Sequence, residues 1–376
     1  MEFFKPGMMI NFMGPRRYII AASVFAMLAT AVLVFFPGPN YGIDFRGGTE
    51  LQVRFTGAVT AGELRSSLTS LGYRRPDVVS VSGRPNEYII RVAETSSVPP
   101  ALAERVKRAV RAGFASAGFR SQKVSPGGDK ISFQFSAEVD ATELRRVVTE
   151  AGARVRSASA FGRPTDHRYE VQLIGVGDQV VDGLQQKLGR RAPDVPLRVE
   201  WVGPKAGEQL RNAAIKALLY AIAFIMIYVA FRFDLRFAPG GVIALVHDAF
   251  FTVGVLILLQ KEVNLTTVAA LLTIVGYSIN DTIVVYDRIR ENMQRLRQKT
   301  LYELINISTS QTLSRTILTS TTTLISISAF FIWGTPVIRD FALALFVGIL
   351  VGTYSSIYIA APVTEWMDKR FFRKAA

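Results

Sequence analysis

The chain has 376 residues with 44 Lys+Arg against 30 Asp+Glu, a formal +14, and is 49% apolar and only 20% charged. A mean hydropathy of +0.26, carried by several unbroken apolar runs, excludes an ordinary soluble enzyme. The absence of cysteine removes disulfides, iron–sulfur clusters and thiolate catalysis, and the two histidines, His167 and His247, offer no zinc site of the usual kind. A basic excess fits nucleic acid or the cytoplasmic loops of a membrane protein. The apolar runs decide for the membrane, with no nucleic acid partner and no cofactor.

A bilayer core takes about 20 apolar residues per helix. The first predicted span is Tyr18–Phe36, led by Arg16 and Arg17 and stopped by Pro37-Gly38-Pro39. Its apolar run is longer than that of a secretory signal and no small-x-small cleavage site follows, so it reads as uncleaved. Five more spans are predicted near 210–231, 239–259, 264–286, 314–333 and 338–366. Lys5, Arg16 and Arg17 precede the first span, and Arg232 and Arg236 separate the second and third. Arg288, Arg290, Arg295, Arg297 and Lys299 separate the fourth and fifth, and Lys369, Arg370, Arg373 and Lys374 follow the sixth. The alternate loops hold Lys261 with Glu262 and Arg339 with Asp340. Positive charge marks cytoplasmic loops, which puts both termini in the cytoplasm and residues 40–205 in the periplasm. The expected domains are 1–39 with the first span, 40–205 outside, and 206–376 with the remaining five.

The exterior segment is duplicated. Leu51–Gly72 and Ile131–Gly152 match at a constant offset at Phe55/Phe135, Val59/Val139, Ala61/Ala141, Glu63/Glu143, Leu64/Leu144, Arg65/Arg145, Thr69/Thr149 and Gly72/Gly152. Gly83-Arg84-Pro85 recurs as Gly162-Arg163-Pro164, and Tyr88 as Tyr169. Each copy reads strand, helix, strand, strand, helix, strand: period-two runs LQVRF and ISFQF, a helical stripe, a turn at Gly-Arg-Pro, then a helix at Pro99–Phe114 or Asp178–Leu188. The expected fold is therefore a polytopic α-helical membrane protein of six transmembrane helices with an α+β exterior domain. That domain is expected as two ferredoxin-like split βαβ repeats, one about 48–126 and the other about 128–204. It carries no catalytic constellation, and Pro126–Lys130 lacks phosphate-loop spacing, so it reads as a binding or docking module.

Ionisable groups within a bilayer are costly and mark function. Span three holds His247-Asp248, span four holds Asn280 and Asp281, and span five opens with Ser314-Arg315-Thr316. Asp281 lies about 9 Å inside the cytoplasmic end of its helix at about 1.5 Å per residue, a depth that an antiparallel neighbour bearing Arg315 would share. Two readings stand for this pair: a proton site, in which low dielectric favours the neutral acid and an approaching arginine the charged one, or a static ion pair that fixes helix register. His247 reads as a packed histidine. The hydroxyls of span five, from Thr316 to Ser328, read as packing and backbone-bonding groups, and Lys299–Ser310 as an interfacial helix.

YGIDFRGGTELQVRF after span one, ALVHDAFFTVG in span three, VGYSINDTIVVYDRIREN in span four and LSRTILTSTTTL in span five resemble the SecF branch of the SecD/SecF family. These are bacterial protein-export membrane proteins of the resistance–nodulation–division superfamily. The resemblance implies a non-enzymatic inner-membrane subunit that pairs with SecD, works with the SecYEG translocon and YajC amid membrane lipid, and uses the proton-motive force to promote translocation of an unfolded polypeptide. It implies proton coupling at Asp281 and Arg315, with Asn280 in the same motif and Asp248 in a His-Asp motif. It implies an exterior-domain signature at Gly42, Asp44, Gly47 and Gly48, and no metal site. Two departures stand out: Arg46 where SecF has a small polar residue, and the doubling of the exterior unit. A half-permease of the same superfamily exporting lipid or small molecules, and a structural assembly factor, are the alternatives.

Overall fold

A computed structural model describes residues 9–74, 76–81, 83–95, 98–125 and 128–372. Of the positions weighed above, Lys5, Pro126, Gly127, Arg373 and Lys374 lie outside them. The chain divides into a helical unit, Met1–Gly42 with Arg211–Ala376, and an α/β unit, Ile43–Leu210. In chain order the helical unit begins with α1 (Arg16–Phe35) and a two-residue strand β1 (Asn40–Tyr41).

The α/β unit follows with α2 (Ile43–Arg46), β2 (Gly48–Arg54), α3 (Ala61–Ser70), β3 (Asp77–Ser80) and β4 (Glu87–Val92). Next come α4 (Pro100–Gly113), β5 (Phe119–Val124), β6 (Lys130–Phe135), α5 (Ala141–Glu150), β7 (Val155–Ala160) and β8 (Arg168–Leu173). α6 (Val176–Leu188) and β9 (Arg198–Val202) complete it. Two four-stranded antiparallel sheets form, in the orders β3-β4-β2-β9 and β5-β6-β8-β7. Alternating side chains of each sheet face its helices, as a period of two requires. Leu51, Val53 and Ile90 pack with Leu64 and Leu68 of α3 and Val180 and Leu184 of α6. Ile131, Phe133 and Val171 pack with Leu144 and Val148 of α5 and Val106 and Val110 of α4.

The sheets do not divide where the repeat boundaries near residue 127 were expected. Both have the ferredoxin-like strand arrangement, and the matched segments Leu51–Gly72 and Ile131–Gly152 hold equivalent places in them, as β2–α3 and β6–α5. The second helix and the outer strand are exchanged relative to expectation. α4 and β5, which precede β6, complete the second sheet, whereas α6 and β9, which follow β8, complete the first. The second unit is thus a circular permutant inserted between β4 and α6 of the first. The apolar stripe of α4 (Leu102, Val106, Val110) would cover either sheet, so periodicity alone assigns it to neither.

The helical unit resumes with α7 (Pro204–Arg232), α8 (Ala238–Leu258), β10 (Glu262–Val263), α9 (Leu265–Arg295) and α10 (Leu301–Trp333). It ends with α11 (Pro336–Ser355) and α12 (Ala361–Met367), joined and followed by π turns into one long helix, Val337–Phe372. Six helices among the described residues are long and apolar enough to cross a membrane. β1 pairs in parallel with β10. The predicted interfacial helix at 299–310 is not separate: a capping box between Thr300 and Glu303 starts α10 there, and the helix runs unbroken to Trp333.

Candidate functional site

α9 starts with a capping box at Asn264 and Thr267 and buries one continuous face, Ala270, Leu271, Ile274, Val275, Ser278, Asp281, Thr282, Val285 and Ile289. That i, i+3, i+4 spacing places polar Ser278, Asp281 and Thr282 among the apolar packing residues. Asp281 is 2% exposed, and its Oδ2 has no hydrogen-bond partner among the described residues. The groups that act on its charge come from α10: Ser320 and Arg315. Ser320 Oγ also shares a 2.7 Å hydrogen bond with Thr353 Oγ1 of α11. Arg315 is exposed, and no ion pair joins it to Asp281. The two residues therefore lie on neighbouring helices without a direct ion pair among the described residues.

Asp248 of α8 has the opposite environment. It is fully buried, its Oδ1 lies 2.9 Å from His247 Nδ1, and its Oδ2 accepts from Ser278 Oγ at 2.5 Å and Ser355 Oγ at 2.7 Å. Three helices, α8, α9 and α11, meet on this one side chain. Close approach of α11 is permitted by Gly352, where a Cβ would lie 3.0 Å from Ser278 Cβ. Asn280 is not part of either cluster; it is exposed on the other side of α9. The α10 hydroxyls bond their own backbone: Thr319 to Arg315 O, Thr322 to Leu318 O, Thr323 to Thr319 O and Ser326 to Thr322 O, at 2.9 to 3.0 Å. Buried Thr309 and Thr316 differ, their Oγ1 atoms unpartnered among the described residues, and Ser320 bonds Thr353 of α11 instead.

At the signature, Gly42 N donates to Val263 O at 3.0 Å, beside the β1–β10 pair. Asp44 and buried Phe45 lie in the single turn α2. Gly47 and Gly48 have φ of +76° and +133°, and a Cβ on them would meet Pro204 Cα at 2.8 Å and Val92 O at 2.6 Å respectively. Only glycine fits both the backbone and the space.

Sequence reasoning did not single out Ser278 and Ser355, whose partner is set by packing. It also passed over Glu365, 3% exposed near the end of the last helix, with Arg16 at 3.2 Å and Lys369 at 2.7 Å. Its signal was a carboxylate in the apolar run IAAPVTEWM. Among the described residues no three His, Asp or Glu side chains converge as a metal site would need.

Two family models match, "Protein export membrane protein SecD/SecF, C-terminal" over residues 187–370 and "SecD/SecF GG Motif" over residues 32–59. The protein translocase subunit SecF of Magnetococcus marinus is 37% identical over 376 residues, covering 100% of this chain and 97% of that one. This chain belongs to the SecD/SecF family. The protein translocase subunit SecDF of Thermus thermophilus is 36% identical over 367 residues, with 97% of this chain and 40% of that longer one covered. A crystal structure of Thermus SecDF, described as a translocon-associated membrane protein, superposes with a TM-score of 0.66 at 33% identity over 98% of this chain and 40% of that one. The SecD/SecF C-terminal model includes Asp248, Asp281 and Arg315, and the GG model includes all four signature residues.

Proposed function

We propose that this bacterial inner-membrane protein, a non-enzymatic component of Sec-dependent protein translocation, couples that process to proton flow at Asp281. One observation carries the reading: a carboxyl buried in a membrane helix with an unpartnered oxygen, opposite an arginine not closed onto it. Low dielectric favours the neutral acid, and an arginine moving in favours the carboxylate. Alternation between the two arrangements loads and releases a proton, and one charge crossing the field is worth about 2.3 kcal/mol per 100 mV.

The saturated bonding of Asp248 supports a supporting role for it, holding α8, α9 and α11 while Asp281 titrates. Asn280, facing away from both clusters, is read as a residue of the surface that meets a partner half. A SecD subunit, the SecYEG channel and YajC are the proposed partners, and the glycine signature lies where the chain passes from the helical unit into the α/β unit. The positive charge between α7 and α8 and between α9 and α10 supports cytoplasmic termini and a periplasmic α/β unit, whose substrate is the emerging unfolded chain.

The test is secretion of a reporter by Asp281→Asn and Arg315→Ala with and without a membrane potential. Both variants are expected to insert and bind SecD yet lose the potential-dependent stimulation. Full stimulation in Asp281→Asn would abandon the proton site and favour an assembly role. Potential-driven release of lipid or small molecules, with secretion untouched, would favour a permease.

A further inference from the structure

The sheets of the α/β unit have open edges at β3 and β9 in one and at β5 and β7 in the other. An open edge presents unpaired N–H and C=O groups, which proteins guard with charged side chains, proline or bulges. Asp77 lies on β3, Arg120 and Lys123 on β5, and Arg198 and Glu200 on β9. β7 differs. Beyond a register shift between Val155 and Ser157 it reads Ser157-Ala158-Ser159-Ala160, and its charged residue, Arg156, is tied back to Asp178 at 2.6 Å. This run of small uncharged residues leaves the edge unguarded.

Phe161 N donates to Arg168 O at 2.8 Å, a hydrogen-bonded pair that continues the register from Ser157–Gln172 to Ala160–Tyr169. Such pairs alternate along an antiparallel ladder. Ser157 and Ser159 therefore bond β8, while Ala158 and Ala160 turn their N–H and C=O groups to the open side. Ser159 and Ala160 are exposed and Ala158 is partly so, and a methyl side chain puts little bulk over the outward groups.

The open edge ends in a hollow of about 630 Å³, lined by Ala160 with Glu138, Phe161, Arg163, His167 and Arg168 among others. Arg163 and Arg168 are exposed and have no ion pair among the described residues, against Glu138 as the one carboxylate of the lining. The hollow therefore favours an acidic group. Backbone donors and acceptors along an edge select an extended chain rather than a helix. A second copy of this edge fits poorly, because antiparallel pairing of two β7 strands would bring Arg163 of one toward Arg156 of the other, and like charges side by side are unfavourable. We propose, resting on the reading that the α/β unit receives the emerging unfolded chain, that β7 takes an extended segment of that chain as a fifth strand, with an acidic side chain received in the hollow beside Arg163 and Arg168.

Full-length protein in lipid nanodiscs would be titrated with a short fluorescent peptide of Ser, Thr and Val with one central Glu. Saturable binding is expected, with hydrogen exchange slowed across residues 157–161 and at no other sheet edge. A Gln-centred peptide is expected to bind about threefold more weakly, the worth of an exposed ion pair. Arg163→Glu combined with Arg168→Glu should turn the preference toward a Lys-centred peptide. Of two peptides N-methylated on alternate amides in opposite phase, one should bind like the parent and the other about tenfold more weakly, since one phase alone blocks the donors facing β7. Ala158→Pro removes an outward donor without breaking the β7–β8 ladder and should weaken the parent peptide similarly, with Ala160→Pro as a second such variant. Equal binding of the two methylated peptides, undiminished binding in both proline variants, or protection confined to β3, β5 or β9 would overturn the site at β7 and leave the unfolded chain as substrate. Binding of none of the peptides would overturn both. Protection of residues 157–161 that grows with protein concentration in the absence of peptide would put a second copy on the edge instead. None of these readouts depends on whether Asp281 carries a proton.

Discussion

Ser278 Oγ donates to Asp248 Oδ2 at 2.5 Å from the same face of α9 that carries Asp281 one turn later. Two buried carboxyls on adjacent helices thus differ in kind: Asp248 has hydrogen bonds at both oxygens, and Asp281 has an oxygen with none among the described residues. Saturated carboxylates rigidify a helix bundle, whereas an unsatisfied one costs free energy and persists where it serves function.

That difference makes the two acids separable by stability. Asp248→Ala is expected to destabilise the protein by about 2–4 kcal/mol, since His247, Ser278 and Ser355 lose their common acceptor and hydrogen bonds between membrane helices average about 0.6 and reach about 1.7 kcal/mol each. Asp281→Asn removes a charge without breaking a bonded network, and its melting temperature should equal or exceed the wild type's. Thermal unfolding of the purified protein in detergent checks both. A larger loss for Asp281→Asn would reverse the assignment of anchor and titrating group.

The paired glycines lead to a second expectation. Gly48→Ala introduces a Cβ 2.6 Å from Val92 O at a φ of +133°, and neither strand β2 nor β4 can shift without breaking the Thr49–Val92 register. A loss of about 1–3 kcal/mol is expected from backbone strain of this kind. Gly72→Ala, also at positive φ but with nothing within 4 Å, separates strain from crowding and should cost less. Denaturant unfolding of both variants gives the comparison.

The membrane helices were readable because twenty-odd apolar residues bounded by arginines have few other uses, and every expected span lies within or overlaps an observed helix. Asp281, Asp248 and Arg315 stood out because charge in such runs is rare. What periodicity could not supply was partner choice. Ser278 and Ser355 look like any small packing residues until three helices converge on Asp248. The stripe on α4 carries no label for the sheet it covers, so chain order suggested two tandem repeats where insertion and permutation occurred. Arg315 and Asp281 were placed at similar depth by counting residues, but the rotation that leaves the guanidinium exposed depends on how α10 packs as a continuous 33-residue helix.

In the α/β unit, burial alone would push the Glu87 carboxyl up, but hydrogen bonds from Arg54, Gln52 and Arg84 together hold it below the usual carboxylate range. The distances are 2.9 Å to Arg54 Nη2, 2.5 Å to Gln52 Nε2 and 3.2 Å to Arg84 Nη1. Because the folded value is lowered, the unfolded chain binds more protons in the window between the two. The contribution is complete above the unfolded value of about 4.3 and is lost as pH falls through the folded one. Stability of the β2-containing sheet should therefore decline below about pH 4, and Glu87→Gln should flatten that decline while lowering stability at neutral pH. Trp201 fluorescence during unfolding, in a background with Trp333 and Trp366 replaced by Phe, reads the sheet that holds both residues. An unchanged acid slope in Glu87→Gln would show that other carboxyls set it.

The permuted insertion predicts which piece of the α/β unit can be removed. α4 through β8 close their own core around Phe133, Phe135, Val106 and Leu144, while the first core is completed by α6 and β9 from beyond the insertion. Replacing residues 95–174 by a short Gly/Ser linker should leave the β3-β4-β2-β9 sheet folded, with the amides of Leu51 and Ile90 still protected from hydrogen exchange. Removing residues 128–204, the second of two tandem repeats by chain order, should unfold both sheets, because it takes α6 and β9 from one and β6, β7 and β8 from the other. Protection of Leu51 and Ile90 in the second deletion, or its loss in the first, would restore the tandem arrangement. The two deletions remove nearly equal lengths of chain, so chain length does not explain a difference between them; the deciding quantity is whether α6 remains to cover the apolar face of β2 and β4.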